Sequence, residues 1–90
     1  MSTPADDQVA AGPTPPEGVT VVDARGLRCP APVIRLARAA RDVPAGTELA
    51  VLATDPAAVH DVPAWARMRG HELVSSTEHS GVHTITVRIC

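Results

Sequence analysis

The sequence contains no phenylalanine, no tyrosine and a single tryptophan, Trp65. Its interior must therefore be built from Val, Leu, Ile and Ala, which leaves a narrow margin of stability. Lysine is absent too: all eight basic residues are arginines, set against ten acids, for a formal charge of −2 with the histidines neutral. A near-neutral chain without stacking aromatics lacks what nucleic-acid binding uses, so direct nucleic-acid contact is not expected. No apolar run approaches the roughly 18 to 20 residues that span a bilayer, and the chain does not open on a basic segment followed by an apolar one. Cytoplasmic residence without membrane insertion is the expectation. There is no Cys-x-x-Cys and no helical His pair; His79 and His83 are four apart but straddle a turn signal, so no metal site is expected, and no organic cofactor. With only two cysteines, Cys29 and Cys90, and no export signal, free thiols are expected rather than a disulfide.

At 90 residues the chain has room for one modest core. Residues 1–18 hold four prolines with Ser, Thr, Asp and Gly, a composition that cannot offset the entropy of ordering. They are read as a disordered tail, and residues 19–90 as the domain. Asp6, Asp7 and Glu17 fall in the tail, leaving eight arginines and seven acids beyond it.

Val19-Thr20-Val21-Val22-Asp23 is β-branched and ends near Gly26, which predicts a strand entering a tight loop. From Pro30 to about Arg41, Val33, Leu36, Ala37 and Ala40 recur at helical spacing, with Arg35, Arg38 and Arg41 forming a separate exposed stripe. Pro30 suits the first helical position, and Pro44 with Gly46 ends the helix. Glu48 to Ala53 reads as a buried strand. After a turn at Thr54-Asp55-Pro56, a second helix is expected from Val62 to Arg69, with Asp61 as its N-cap, Trp65 and Met68 facing the sheet, and Gly70 as its left-handed stop. His71 to Glu78 and Val82 to Ile89 complete a hairpin around His79-Ser80-Gly81. The order β-α-β-α-β-β predicts an α/β two-layer sandwich: a mixed four-stranded sheet with both helices on one face.

Cys29 falls between the loop Ala24-Arg25-Gly26-Leu27-Arg28 and the expected helix start. A thiol at a helix N-terminus near Arg25 and Arg28 is expected to be exposed and more acidic than a free thiol, hence nucleophilic. Because the first two strands are parallel, the loops after them leave the same sheet edge, which puts Asp55 on the Cys29 side. Asp55 then either shapes the thiol loop or caps the following helical turn; for Asp23 and Asp61 capping or turn formation is the simpler reading. If the last strand runs antiparallel to the first, Cys90 falls at the opposite edge, too far for a bridge to Cys29.

The segment Val22-Asp23-Ala24-Arg25-Gly26-Leu27-Arg28-Cys29-Pro30-Ala31-Pro32 resembles the N-terminal signature of the TusA/SirA family, with its CPxP core. Thr54-Asp55-Pro56-Ala57-Ala58, Asp61-Val62-Pro63, Trp65 and Gly70-His71-Glu72-Leu73 resemble the family's second motif. The resemblance implies a sulfur carrier in which Cys29 accepts sulfur as a persulfide, supported by a thiol loop of Arg25, Gly26, Arg28, Pro30 and Pro32. It further implies a sheet order 1-2-4-3 with the last strand antiparallel. A sulfur-donor protein, a cysteine desulfurase or rhodanese-like, would load it, and an acceptor protein would unload it, so that it acts as a relay rather than a conventional turnover enzyme. The competing readings are a non-enzymatic redox or regulatory module on the same scaffold, and an RNA-binding module, since the layout is also similar to the C-terminal domain of a bacterial translation initiation factor.

Overall fold

In a computed structural model, residues 18–90 are described; the expected tail lies outside them apart from Gly18. The strands are β1 (Val19–Ala24), β2 (Glu48–Ala53), β3 (Glu72–His79) and β4 (Val82–Arg88), and the helices are α1 (Ala31–Arg41) and α2 (Ala58–Arg69). They alternate as the sequence predicts and form one sheet in the order β1-β2-β4-β3. β1 and β2 are parallel, with Val19 opposite Glu48 and Ala24 opposite Ala53, while β4 runs antiparallel to both its neighbours.

Period-two alternation explains the two faces of the sheet. Leu49, Val51 and Ala53 of β2 and Ile85 and Val87 of β4 are fully buried, and they meet Leu36 of α1 and Val62, Trp65 and Ala66 of α2 in one core. Without Phe or Tyr this core is aliphatic, and its one aromatic side chain, Trp65, lies against His71 with ring centroids 5.1 Å apart. At the sheet end where β1 and β2 begin, Arg88 reaches Glu72 at 2.6 Å and Glu48 at 3.1 Å, fastening three strands together. The Ser80-Gly81 turn has both residues at positive φ, 51° and 81°, the backbone of a two-residue hairpin loop whose twist matches its strands. β3 is an edge strand exposed along its whole length, and its register with β4 slips between Leu73 and Ser75, leaving Val74 as a bulge.

Two expectations require correction. Helix α2 starts at Ala58, four residues earlier than expected, so Asp61 is inside the first turn rather than its N-cap. Pro63 was the misleading signal, because a proline usually marks a helix start. The turn before it is tightened instead by short-range bonds from Ala58 to Asp55, Val59 to Pro56 and His60 to Ala57, and the helix continues through the proline. Met68 does not face the sheet: it is 79% exposed, on the side of α2 turned toward the N-terminal end of α1. Gly70 does end α2 in the left-handed region, at φ 77°.

Candidate functional site

The parallel pairing of β1 and β2 brings the loops that leave them to one end of the sheet, and a set of side-chain bonds ties these loops together. After β1 the chain turns through Gly26 at φ +80°, in a turn closed by the Leu27 amide bonding to the Ala24 carbonyl at 3.2 Å. A residue with a Cβ resists this conformation, whereas glycine adopts it freely. The Gly26 amide then donates to the Thr54 hydroxyl at 2.9 Å, and the Cys29 amide donates to Oδ2 of Asp55 at 2.8 Å. Oδ1 of Asp55 accepts the Ala57 amide at 3.0 Å, so this one carboxylate both turns the chain into α2 and holds the backbone of Cys29. Donation by two amides keeps the Asp55 carboxyl below its ordinary pKa, with the Arg28 charge a lesser contribution.

Cys29 is exposed and free. Pro30, joined to it by a cis peptide bond, occupies the N-cap of α1 rather than the expected first helical position, and Pro32 is buried within the first turn. The thiol faces α2, where its Sγ donates to Oδ2 of Asp61. A shallow, mainly apolar groove of about 360 Å³ runs from the sulfur between the helices, lined by Pro30, Val33, Ala64, Trp65 and Met68.

The electrostatics of the thiol run against the sequence expectation. Its pKa is raised above the ordinary thiol value, first by the hydrogen bond to Asp61, then by desolvation and by the negative charges of Asp61 and Asp55. Neither arginine of the loop offsets this. Arg25 turns back to grip Asp23, with Nε to Oδ1 and Nη2 to Oδ2 both at 2.9 Å, which holds the Asp23 carboxyl down at about 2. Arg28 exerts its charge on Asp55. Proximity in sequence suggested cations beside the sulfur; the third dimension supplies carboxylates instead.

Of the residues singled out from sequence, Cys29, Pro30 and Asp55 come together directly, Gly26 and Pro32 shape the loop from behind, and Arg25 points elsewhere. Thr54 and Asp61 were not assigned to the site. The same-edge argument that places Asp55 beside Cys29 extends to Asp61 once α2 begins at Ala58, because one further helical turn presents residue 61 to the thiol.

Comparisons with known proteins identify relatives of this sequence and fold. The family model described as sulfurtransferase TusA matches residues 20–89. The sulfur carrier protein TusA of Pseudomonas syringae pv. syringae is 43% identical over 77 residues, covering 82% of this chain and 92% of its own. The protein of the same name from Pseudomonas aeruginosa is 41% identical over 68 residues, covering 76% and 86%. The crystal structure of a SirA-like protein from Desulfitobacterium hafniense superposes with a TM-score of 0.68 at 28% identity, over 78% of this chain and 95% of that one.

Proposed function

This chain belongs to the sulfurtransferase TusA family, and from that premise we propose that it is a sulfur-relay carrier whose Cys29 takes up sulfur as a persulfide and hands it to an acceptor protein. The observation that carries the reading is the placing of an exposed thiol, on a loop held from both βα units, at the mouth of an open groove. A protein-sized donor can reach such a sulfur, and the groove is too shallow to enclose a small-molecule substrate.

The chemistry is thiol exchange. The Cys29 thiolate attacks the terminal sulfur of a donor persulfide, a new S–S bond forms as the donor's own S–S bond breaks, and the electron pair leaves on the donor sulfur. That sulfur takes up the proton Cys29 gave up, so atoms and electrons balance without an external oxidant. Delivery repeats the exchange with the carrier persulfide as the donor. A cysteine desulfurase or rhodanese-like protein is the fitting donor, and the cytoplasm the fitting compartment; among the described residues no helix is long and apolar enough to cross a membrane.

A redox-switch role for the same thiol is the weaker reading, because a sensor cysteine is usually poised beside a resolving thiol, and Cys90 lies by His71 at the other end of the sheet. Incubation with a cysteine desulfurase and radiolabelled cysteine tests the proposal. Label and the mass of one added sulfur are expected on the Cys29 peptide, and none on Cys29→Ser; transfer to the serine variant would move the carrier function away from this residue.

A further inference from the structure

The carboxylate of Asp61 sits on the side of the thiol that faces α2 and the groove, and that of Asp55 sits behind the Cys29 amide. Asp55 is occupied by the two amides it accepts, whereas Asp61 makes its side-chain hydrogen bond to the thiol. A helix first turn accepts an acid at any exposed position, and residue 61 is turned instead toward the one reactive sulfur in the loop. We propose that Asp61 is a specificity residue: it makes Cys29 select sulfur presented by a positively charged protein surface and reject free anionic sulfur species such as polysulfide or thiosulfate. The inference rests on the carrier reading above and adds the charge of the partner to it.

Two effects of the same carboxylate act together. An anionic reagent approaching the sulfur is repelled, while a cationic group lodged against Asp61 is attracted and neutralises it. Neutralisation also removes the main influence holding Cys29 as a thiol, so a cationic donor both docks and frees the nucleophile. The exchange itself is unchanged, since the proton that leaves Cys29 still ends on the donor's departing sulfur. Between transfers the cysteine stays protonated and slow to react. The charge of Arg28, the loop's other arginine, is felt at Asp55.

Charged methanethiosulfonates read this selectivity directly, because the cationic ethyltrimethylammonium and anionic ethylsulfonate reagents attack the same thiolate. Their rate ratio cancels the thiolate fraction, and dividing it by the same ratio for a free cysteine peptide cancels the pull of the thiolate's own charge on the cation. In the full chain carrying Cys90→Ser, this normalised ratio of cationic to anionic rate is expected to be about tenfold or more at low salt, since a unit charge about 4 Å away alters encounter several-fold for each sign even in water. In 1 M salt, with a Debye length of about 3 Å, the ratio should shrink toward one. Asp61→Asn, nearly the same shape, should lower the low-salt ratio at least about threefold, and Asp61→Glu should keep most of it. A wild-type ratio near one, or a ratio unmoved by Asp61→Asn, overturns the proposal; the wild-type salt series decides the first point even if the variant does not fold. Neither reagent depends on sulfur loading. Charge selectivity in a protein that a desulfurase cannot load would therefore sink the carrier reading and leave only a charge preference at the thiol, whereas loading without selectivity would overturn the role of Asp61 and keep the carrier.

Discussion

The Cys29 amide and the Asp55 carboxylate, 2.8 Å apart, join two βα units that are 26 residues distant in sequence. The bond fixes the backbone of the thiol-bearing residue while leaving its side chain free to face the groove. Because Asp55 also accepts the Ala57 amide, the loop before α1 and the entry to α2 are set by one side chain. Replacing Asp55 with Ala should free the Cys29 amide and make its hydrogen exchange roughly three- to tenfold faster, the range lost with one hydrogen bond. Asp55→Asn keeps an acceptor oxygen and should fall between the two. Unchanged exchange at Cys29 in the alanine variant would mean the bond does not hold the loop.

The pH dependence of alkylation at Cys29 follows from the raised thiol pKa. Thiolate is the reacting form, so the rate climbs as pH rises through the pKa, and raising the pKa moves that climb to higher pH. A profile with iodoacetamide should therefore have its midpoint above that of a free cysteine peptide, with a slower rate at pH 7. Asp61→Asn should shift the midpoint down. A wild-type midpoint below the peptide's would instead favour the helix terminus over the carboxylates.

Asp23 should titrate in the opposite sense. Its carboxyl, gripped by Arg25, is held down at about 2, so whatever stability the pair contributes is complete above the unfolded carboxylate value near 3.8 and is lost as pH falls toward 2. Both side chains are about half exposed, and solvent keeps that contribution small. An NMR titration should place Asp23 among the most acidic carboxyls of the protein, and Arg25→Ala should return it toward the ordinary range.

Gly26→Ala tests the turn. Space is not the obstacle, since a Cβ there would meet nothing within 4 Å, but φ of +80° is strained for alanine. A loss of about 1 to 2 kcal/mol is expected. For a domain of this size that is a fall in Tm of roughly 4 to 8 °C for each kcal/mol.

The aliphatic core should be less forgiving. Leu36 is fully buried between α1 and the sheet, and Leu36→Ala should cost about 2 to 5 kcal/mol. Urea denaturation is the measurement, and a loss under 1 kcal/mol would show that the core closes over the cavity.

The fold was legible because its signals were local. The β-branched run at Val19, the helical spacing of Val33, Leu36, Ala37 and Ala40, and glycines at positions 70 and 81 each depend on neighbours in the chain. The thiol itself was legible for the same reason, by its place before Pro30. Its environment was not: charge at a site is decided by what other segments bring, and Asp61 arrives from 32 residues away on a helix whose start Pro63 obscured. Arg25 misled in the converse manner, since its nearest partner, Asp23, lies two residues back and turns it away from the sulfur.

The bulge at Val74 bears on whether copies of the molecule can pair through their sheet edges. An uninterrupted edge strand offers a row of free backbone donors and acceptors on which a second copy can build, the first step of sheet-to-sheet polymerisation. In β3 the slip between Leu73 and Ser75 breaks that row in the stretch where Leu73 and Val74 are exposed, and Glu78 sets a negative charge toward its far end, Glu72 being paired with Arg88. Two such edges meeting would not match in spacing, so the slip works against building a second copy's strand onto this one.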